Sequence, residues 1–277
     1  MAGACMPGTV CPDAPAGVSA DAAAALQREN QVRVAMGLDC ATMVPTANAG
    51  ADAHCRYYSA NRGNASCVGN PHVEVAGCMM FYAANFWERM SMAGYPGSPA
   101  SEDMAFSGNG TSAVQQWIDS VWHRTPILSP WERDIGYGGG SGTGCDTMDF
   151  GTGAATPGTV VATYPYANQT GVPLSFDGRY EGPTPPAPPS GWPSGYPIHI
   201  YIRGTITAHD IVVEGTTTTV PHVWLDPADS RTMGLLRNQG YVFYTNAPLT
   251  AGTRYHVTAT GSNSAGPVNL DWVFTTR

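Results

Sequence analysis

The spacing of apolar residues divides the chain into two unlike halves. In the first half, apolar positions recur every three or four residues, which predicts amphipathic helices. They fall at about residues 19–37, 46–63, 81–94 and from 112 to about 124. Ser19 and Gly37 fit a helix start and a helix stop. The fourth helix is expected to end at His123 and Arg124, just before a proline-containing turn.

From about residue 157 the apolar period changes to two, which predicts strands. Seven short strands are expected, at residues 159–163, 197–202, 211–213, 220–225, 241–244, 254–260 and 270–275. Seven short strands separated by turn residues are typical of a small β-sandwich. We therefore predict an α+β chain with a first domain at 1–155 and a β-sandwich domain at 156–277.

A proline-rich segment interrupts the predicted sandwich at residues 178–197, GRYEGPTPPAPPSGWPSGYP. Proline at this density predicts an extended, semi-rigid backbone. The segment could be a ligand for a proline-binding module. A solvent-facing excursion packed by its own aromatic residues is the preferred interpretation.

Composition narrows the class of protein. The 277 residues are 43% hydrophobic, with 33 Gly and 23 Pro, which predicts a folded chain rich in loops. There is no lysine, and 13 Arg stand against 21 acidic residues for a net charge of -8. A scattered minority of arginines argues against a nucleic-acid partner. No apolar run approaches 18 residues, so no transmembrane segment is predicted.

Cysteine usage predicts the compartment. Six of the seven cysteines lie in the first 78 residues, at spacings unlike those of a zinc ribbon. Disulfides, and hence a secreted or cell-surface location, are expected. We predict that Cys40, Cys55, Cys67 and Cys78 are all bonded, while Cys145 is either free or a partner to one of the six. The first residues lack the pattern of a signal peptide and are interpreted as a mature N-terminus.

Five landmarks occur in a characteristic order. They are PHVEVAGC (71–78), WERMSMAGYPG (87–97), SEDMAFSGNG (101–110), AVQQWIDSVWHRTPILSP (113–130) and DIGYGGG (134–140). Over residues 20–150 this order resembles the bacterial branch of the CAP superfamily, the SCP-like group of cysteine-rich secretory, antigen-five and pathogenesis-related proteins. The second half resembles, less specifically, bacterial immunoglobulin-like domains. The resemblance implies an α-β-α sandwich followed by an all-β, immunoglobulin-like sandwich.

The same resemblance implies a cavity that binds a divalent metal, zinc among the candidates, through His72, His123 and Glu102. Imidazoles and a carboxylate form a plausible ligand set on chemical grounds as well. The motif around Glu102 is degenerate, and the family's second acidic residue falls on Ser120. Ordinary hydrogen bonding is the alternative for both histidines. For the pair at His123 and Arg124, the alternative is favourable interaction with a helix dipole.

Three functions follow from these observations. The preferred one is a secreted protein whose cavity binds a metal and a small ligand, such as a lipid, glycan or peptide. The second is a metal-assisted hydrolase with Glu102 as base, although no H-E-x-x-H or G-x-S-x-G motif occurs. The third is a structural or adhesive surface protein. The remaining histidines, His54, His199, His209, His222 and His256, are expected in packing or strand-face positions, and Trp117 and Trp122 in the core rather than a lipid cleft.

Overall fold

A computed structural model describes residues 10–277. The elements of the first half are α1 (Ala20–Ala35), β1 (Thr42–Met43), α2 (Pro45–Asn61), α3 (Ala65–Val68), α4 (Phe86–Met92), β2 (Pro99–Ala105), α5 (Gly110–Ile118), α6 (Arg124–Ile127), β3 (Asp134–Gly140) and β4 (Cys145–Gly151). The four strands form one sheet in the order β1-β3-β4-β2, in which only the β1–β3 pair is parallel.

Helices cover both faces of this sheet. Side chains of Ile135 and Phe150 join α1 and α5 in the main apolar cluster, which places these helices on one face. On the opposite face, α2 lies so close that a Cβ on Gly136 would come within 2.2 Å of the Ala47 backbone. Glycine is therefore required at that position. α4 packs beside α2 on this second face.

The start of α1 agrees with the prediction, whereas α2 and α4 begin at residues other than those predicted. α1 begins after Ser19, which caps it as expected by accepting a hydrogen bond from the Ala22 amide. α2 begins at Pro45 rather than after a Thr46 cap, because proline suits the first helical position. α4 starts only at Phe86, after Asn85, whose amide donates to the Glu88 carboxylate.

The fourth helix ends earlier than predicted, at Ile118. His123 is instead the N-terminal cap residue of the next helix, α6. Neither His123 nor Arg124 therefore lies at the C-terminus of α5, so the explanation by the dipole of that helix was wrong. Val121 and Trp122 continue the apolar period but pack against the second half, beside Val242.

The second half is built from sheets whose strand pairs are antiparallel except for the parallel pair of β6 with β14. Its strands are β5 (Val161–Tyr164), β6 (Gln169–Val172), β7 (Ser175–Phe176), β8 (Ser194–Gly195), β9 (Ile198–Ile202), β10 (Gly204–Val213), β11 (His222–Leu225), β12 (Gly240–Thr245), β13 (Arg254–Asn263) and β14 (Gly266–Thr276). Two four-stranded sheets have the orders β10-β13-β14-β6 and β11-β12-β9-β5, and β7 pairs with β8. Each of the seven predicted strands is present, and the chain is α+β as predicted.

The two halves share one apolar core. Met148 and Phe150 of the first sheet belong to the same cluster of buried side chains as Ile200 and Tyr201 of β9. Arg124 adds a polar link across the same boundary, since its guanidinium donates to the Pro197 carbonyl at 2.5 Å. The predicted boundary near residue 155 falls in the connection between β4 and β5.

The proline-rich segment is not a free excursion. Its carbonyls at Pro183 and Pro186 accept hydrogen bonds from Trp122 Nε1 and the Tyr244 hydroxyl. Trp192 packs edge-on against Phe176 of β7. The solvent-facing interpretation was correct only in part: Arg179, Tyr180 and residues 182–184 are exposed, but these contacts fasten the segment to both halves.

Three disulfides join Cys11 to Cys40, Cys55 to Cys145, and Cys67 to Cys78. The four cysteines predicted to be bonded are all bonded, and Cys145 is a partner rather than free. Cys5 and the predicted mature N-terminus lie outside the described residues. The disulfides indicate an oxidising, extracytoplasmic compartment. None of the helices within residues 10–277 has both the length and the apolarity needed to span a bilayer.

Candidate functional site

His72 is held by a buried carboxylate. Its Nδ1 lies 2.9 Å from Glu102 Oε1, and the other oxygen of Glu102 accepts from Arg89 Nη2 at 2.5 Å. Burial alone would raise the pKa of Glu102, but the hydrogen bond from His72 and the nearby charges of His54 and Arg89 outweigh it and lower that pKa to about 2. Glu102 is therefore an ionised acceptor that fixes the ring of His72.

Strand pairing places a second acid beside Glu102. Asp149 on β4 is its cross-strand neighbour in the antiparallel β2–β4 pair. Burial and the charge of Glu102 raise the pKa of Asp149 well above its usual value. A neutral acid next to an ionised one avoids placing two negative charges together in the interior.

His54 supports the segment that carries His72. The His54 ring is fully buried, with Nδ1 3.0 Å from Glu74 Oε1 and Nε2 2.8 Å from the Pro71 carbonyl. Both of its nitrogens are thus engaged within the protein. This agrees with the packing role expected from the sequence, and the contacts to Pro71 and Glu74 fix the backbone on either side of His72.

His123 is held by a carboxylate from the second half. Its Nδ1 lies 3.1 Å from Oε1 of Glu181, in the proline-rich segment. Sequence reasoning missed Glu181, because no local spacing relates it to a histidine 58 positions earlier. Ser120, where the resemblance places an acidic residue, instead donates its hydroxyl to the Trp117 carbonyl.

One pocket of about 520 Å³ is lined by both His72 and His123. Its other lining residues are Pro71, Met104, Ala105, Phe106, Gln116, Trp117, Asp119, Ser120, Phe176, Asp177, Tyr180, Glu181 and Gly182. The His72 side chain is 36% exposed and that of His123 is 17% exposed, so solvent reaches both rings. Within residues 10–277, Nε2 of neither ring has a hydrogen-bond partner.

Glu102 does not line this pocket. It lies beneath His72, with a side chain only 1% exposed. Across the described part of the chain, no group of three or more His, Cys, Asp or Glu side chains is arranged to hold a metal ion. The structure thus brings the predicted His72 and His123 to one pocket. Glu102 lies outside the pocket lining and fixes the orientation of the His72 ring through Nδ1.

The pocket wall is acidic and aromatic. Asp119 and Asp177 contribute carboxylates in addition to Glu181, and no arginine is among the lining residues identified in residues 10–277. Phe106 and Tyr180, which are 53% and 89% exposed, come from opposite halves of the chain. Trp117 and Trp122 are both buried, as the core interpretation predicted.

The other histidines lie in the second half. His209 Nδ1 is 3.0 Å from His222 Nε2, a pairing that the sequence did not suggest because the two residues belong to different sheets. The His209 ring stacks on Trp224, with centroids 3.6 Å apart. His256 contacts Asp271 at the surface. His199 is fully buried on β9.

Comparison with known proteins adds little to this description. No family model matches the sequence, and no curated protein matches it. Sixteen chains of solved structures match. One is the selenomethionine form of PcoC, a copper resistance protein from Escherichia coli. It is 16% identical, and the match covers 42% of this chain and 95% of that chain with a TM-score of 0.25. At that TM-score the likeness supports no conclusion about this protein.

Proposed function

We propose that this protein is an extracytoplasmic binding protein with a CAP-like first half and an immunoglobulin-like second half. In this proposal, His72 and His123 hold a divalent metal through Nε2, and the metal and pocket together bind a small ligand. The disulfides support the location, and the order of sequence landmarks from residue 71 to 140 supports the CAP-like assignment.

One observation carries the metal proposal. Each pocket imidazole has its Nδ1 on a buried carboxylate, Glu102 for His72 and Glu181 for His123. A hydrogen bond at one ring nitrogen fixes the tautomer and makes the other nitrogen a better metal ligand. Two histidines leave coordination positions for water or a ligand, so we expect an open site of modest affinity. Imidazole ligands suit zinc, copper or nickel.

The pocket chemistry narrows the ligand. Carboxylates and exposed aromatic rings, without an arginine in the lining, favour a glycan or a peptide over a lipid with an anionic headgroup. Phe106 and Tyr180 contribute exposed aromatic rings to the pocket lining, and Asp119 contributes a hydrogen-bond acceptor.

A metal-assisted hydrolase with Glu102 as base is the weaker candidate. A general base works best with a pKa near the operating pH, whereas the pKa of Glu102 is lowered to about 2. Both of its oxygens are also engaged, by His72 and by Arg89. The third candidate, a purely structural or adhesive surface protein, predicts no metal binding.

The experiment is a zinc titration by calorimetry on the full-length protein, after bound metal ions have been removed and the chelating agent has been washed out. We expect one zinc ion per chain for the wild type, and loss of that binding in His72→Ala and in His123→Gln. His256→Ala is the matched control, because His256 is a surface histidine hydrogen-bonded to Asp271. Near-UV circular dichroism verifies that each variant is folded. Equal zinc binding by all four proteins, or none by the wild type, would refute the proposal.

A further inference from the structure

Glu181 makes an unusual set of contacts for a side chain in a proline-rich segment. Its carboxylate accepts hydrogen bonds from three consecutive backbone amides, at 2.8 Å from Val121, 2.5 Å from Trp122 and 3.2 Å from His123. It also contacts His123 Nδ1 at 3.1 Å. The side chain is 2% exposed, so these four donors replace the water that a free carboxylate would bind.

The backbone contacts hold the carboxylate still. Charge-assisted hydrogen bonds from three amides fix both of its oxygens, and burial strengthens each of them. The ring of His123 is then positioned against an anchored acceptor rather than a mobile one. Ser120, where the resemblance places an acidic residue, does not hold the His123 ring in this way, because its hydroxyl donates to the Trp117 carbonyl.

The contact also selects the tautomer of His123. An ionised carboxylate only accepts hydrogen bonds, so the proton of a neutral His123 ring must lie on Nδ1. The lone pair is then on Nε2. A neutral histidine in water prefers the opposite tautomer, with the proton on Nε2, which could not bind a metal through that atom without losing its proton.

We propose that Glu181 is the positioning residue of His123, so that the second half of the chain completes the binding pocket of the first. The effect of Glu181 on metal binding rests on the proposed function. Its effect on the orientation of the His123 ring does not. Phe176, Tyr180 and Gly182, which flank Glu181 in the chain, also form part of the pocket wall. The metal-binding unit is therefore the whole chain and not the CAP-like half alone.

The primary test reads the tautomer of His123 without any metal. Protein with ¹⁵N-labelled histidine is studied above pH 7.5 by long-range ¹H–¹⁵N correlation, and the His123 signals are identified by their absence in His123→Gln. In the wild type we expect the Nδ1–H form. Glu181→Gln, whose side chain can donate as well as accept, should shift His123 toward the Nε2–H form. Glu214→Gln is the control, since Glu214 is a half-exposed partner of Arg254.

The second measurement is zinc affinity of the same variants. Loss of an orienting partner weakens metal binding by ~10–100-fold, so we expect that weakening in Glu181→Gln and no change in Glu214→Gln. If the tautomer shifts in Glu181→Gln but neither the wild type nor any variant binds zinc, the positioning role holds and the metal proposal is refuted. An Nε2–H ring in the wild type would overturn the inference even if Glu181→Gln fails to fold. An unchanged tautomer in folded Glu181→Gln would overturn it as well.

Discussion

Cys55 on α2 is bonded to Cys145 at the start of β4, across 90 positions of the sequence. This bond closes the longest of the three disulfide loops within residues 10–277. Cys67 and Cys78, by contrast, are separated by only 11 positions. The two bonds therefore restrict the unfolded chain to very different extents.

Removing the long-range disulfide should cost more stability than removing the short one. Replacing both Cys55 and Cys145 by serine should lower the free energy of unfolding by ~2–5 kcal/mol. The loop-length dependence predicts a loss about 2 kcal/mol smaller for the pair at Cys67 and Cys78. Urea unfolding of the two double variants measures both values. Equal losses would show that local packing, not chain entropy, sets the effect.

Arg124 should be a major contributor to stability. Its guanidinium lies 4.8 and 4.7 Å from the ring centroids of Tyr164 and Tyr196 and donates to the Pro197 carbonyl. Arg124→Met should cost ~3–5 kcal/mol, because it removes desolvated cation–π contacts and leaves a buried carbonyl unpaired. Urea unfolding measures the change. Arg254→Met, at the surface, is the control and should change stability by less than ~0.5 kcal/mol; similar losses in both would contradict the prediction.

Glu29 should make the protein less stable as the pH rises. Its side chain is fully buried, and burial, only partly offset by Arg33, raises its pKa to about 8. Between pH 4.5 and 8 the unfolded chain has released this proton while the folded protein still holds it, so unfolding becomes easier with rising pH. Glu29→Gln should remove that slope. Urea unfolding at pH 5 and pH 8 should show a larger advantage of the variant at pH 8, and a constant difference would contradict the assignment.

His209 should have the opposite pH dependence. Burial and the neighbouring His222 lower the pKa of His209 to about 4. As the pH falls from 6.5 to 4, His209 becomes protonated in the unfolded chain but stays neutral in the folded protein. The free energy of unfolding therefore declines across this window. His209→Phe keeps a ring to stack on Trp224 but cannot titrate. Its melting temperature should therefore fall less than that of the wild type between pH 7.5 and 4.5; parallel declines would rule the explanation out.

Local sequence signals predicted much of the fold. Ser19 as a helix cap and the seven strands of the second half follow from residue-to-residue patterns that survive in the structure. The end of α5 did not follow. Val121 and Trp122 are apolar because they pack on β12 and its neighbours, although their spacing also fits the helical period. No local pattern shows whether such apolar residues are buried on a helix face or in a loop.

The candidate site also contains residues that the sequence predicted and residues that it did not. His72 and His123 were predicted and line one pocket. Glu102 was predicted as a ligand, whereas its contact with the Nδ1 side of His72 depends on strand pairing that the sequence does not reveal. Glu181 was missed altogether, because its partners lie about 60 positions away and its own surroundings are glycine and proline.

The composite pocket also has a consequence for the order of events during biosynthesis. His72, Glu102 and His123 leave the ribosome before Glu181, which follows His123 by 58 residues. At a synthesis rate of ~5–20 residues per second, the nascent first half carries an incomplete pocket for about 3–12 s. Throughout that interval Val121 and Trp122 lack the side chains that bury them. They cluster with Leu225 and Val242, so the newborn chain exposes this apolar surface beside its incomplete pocket until β11 and β12 have emerged as well.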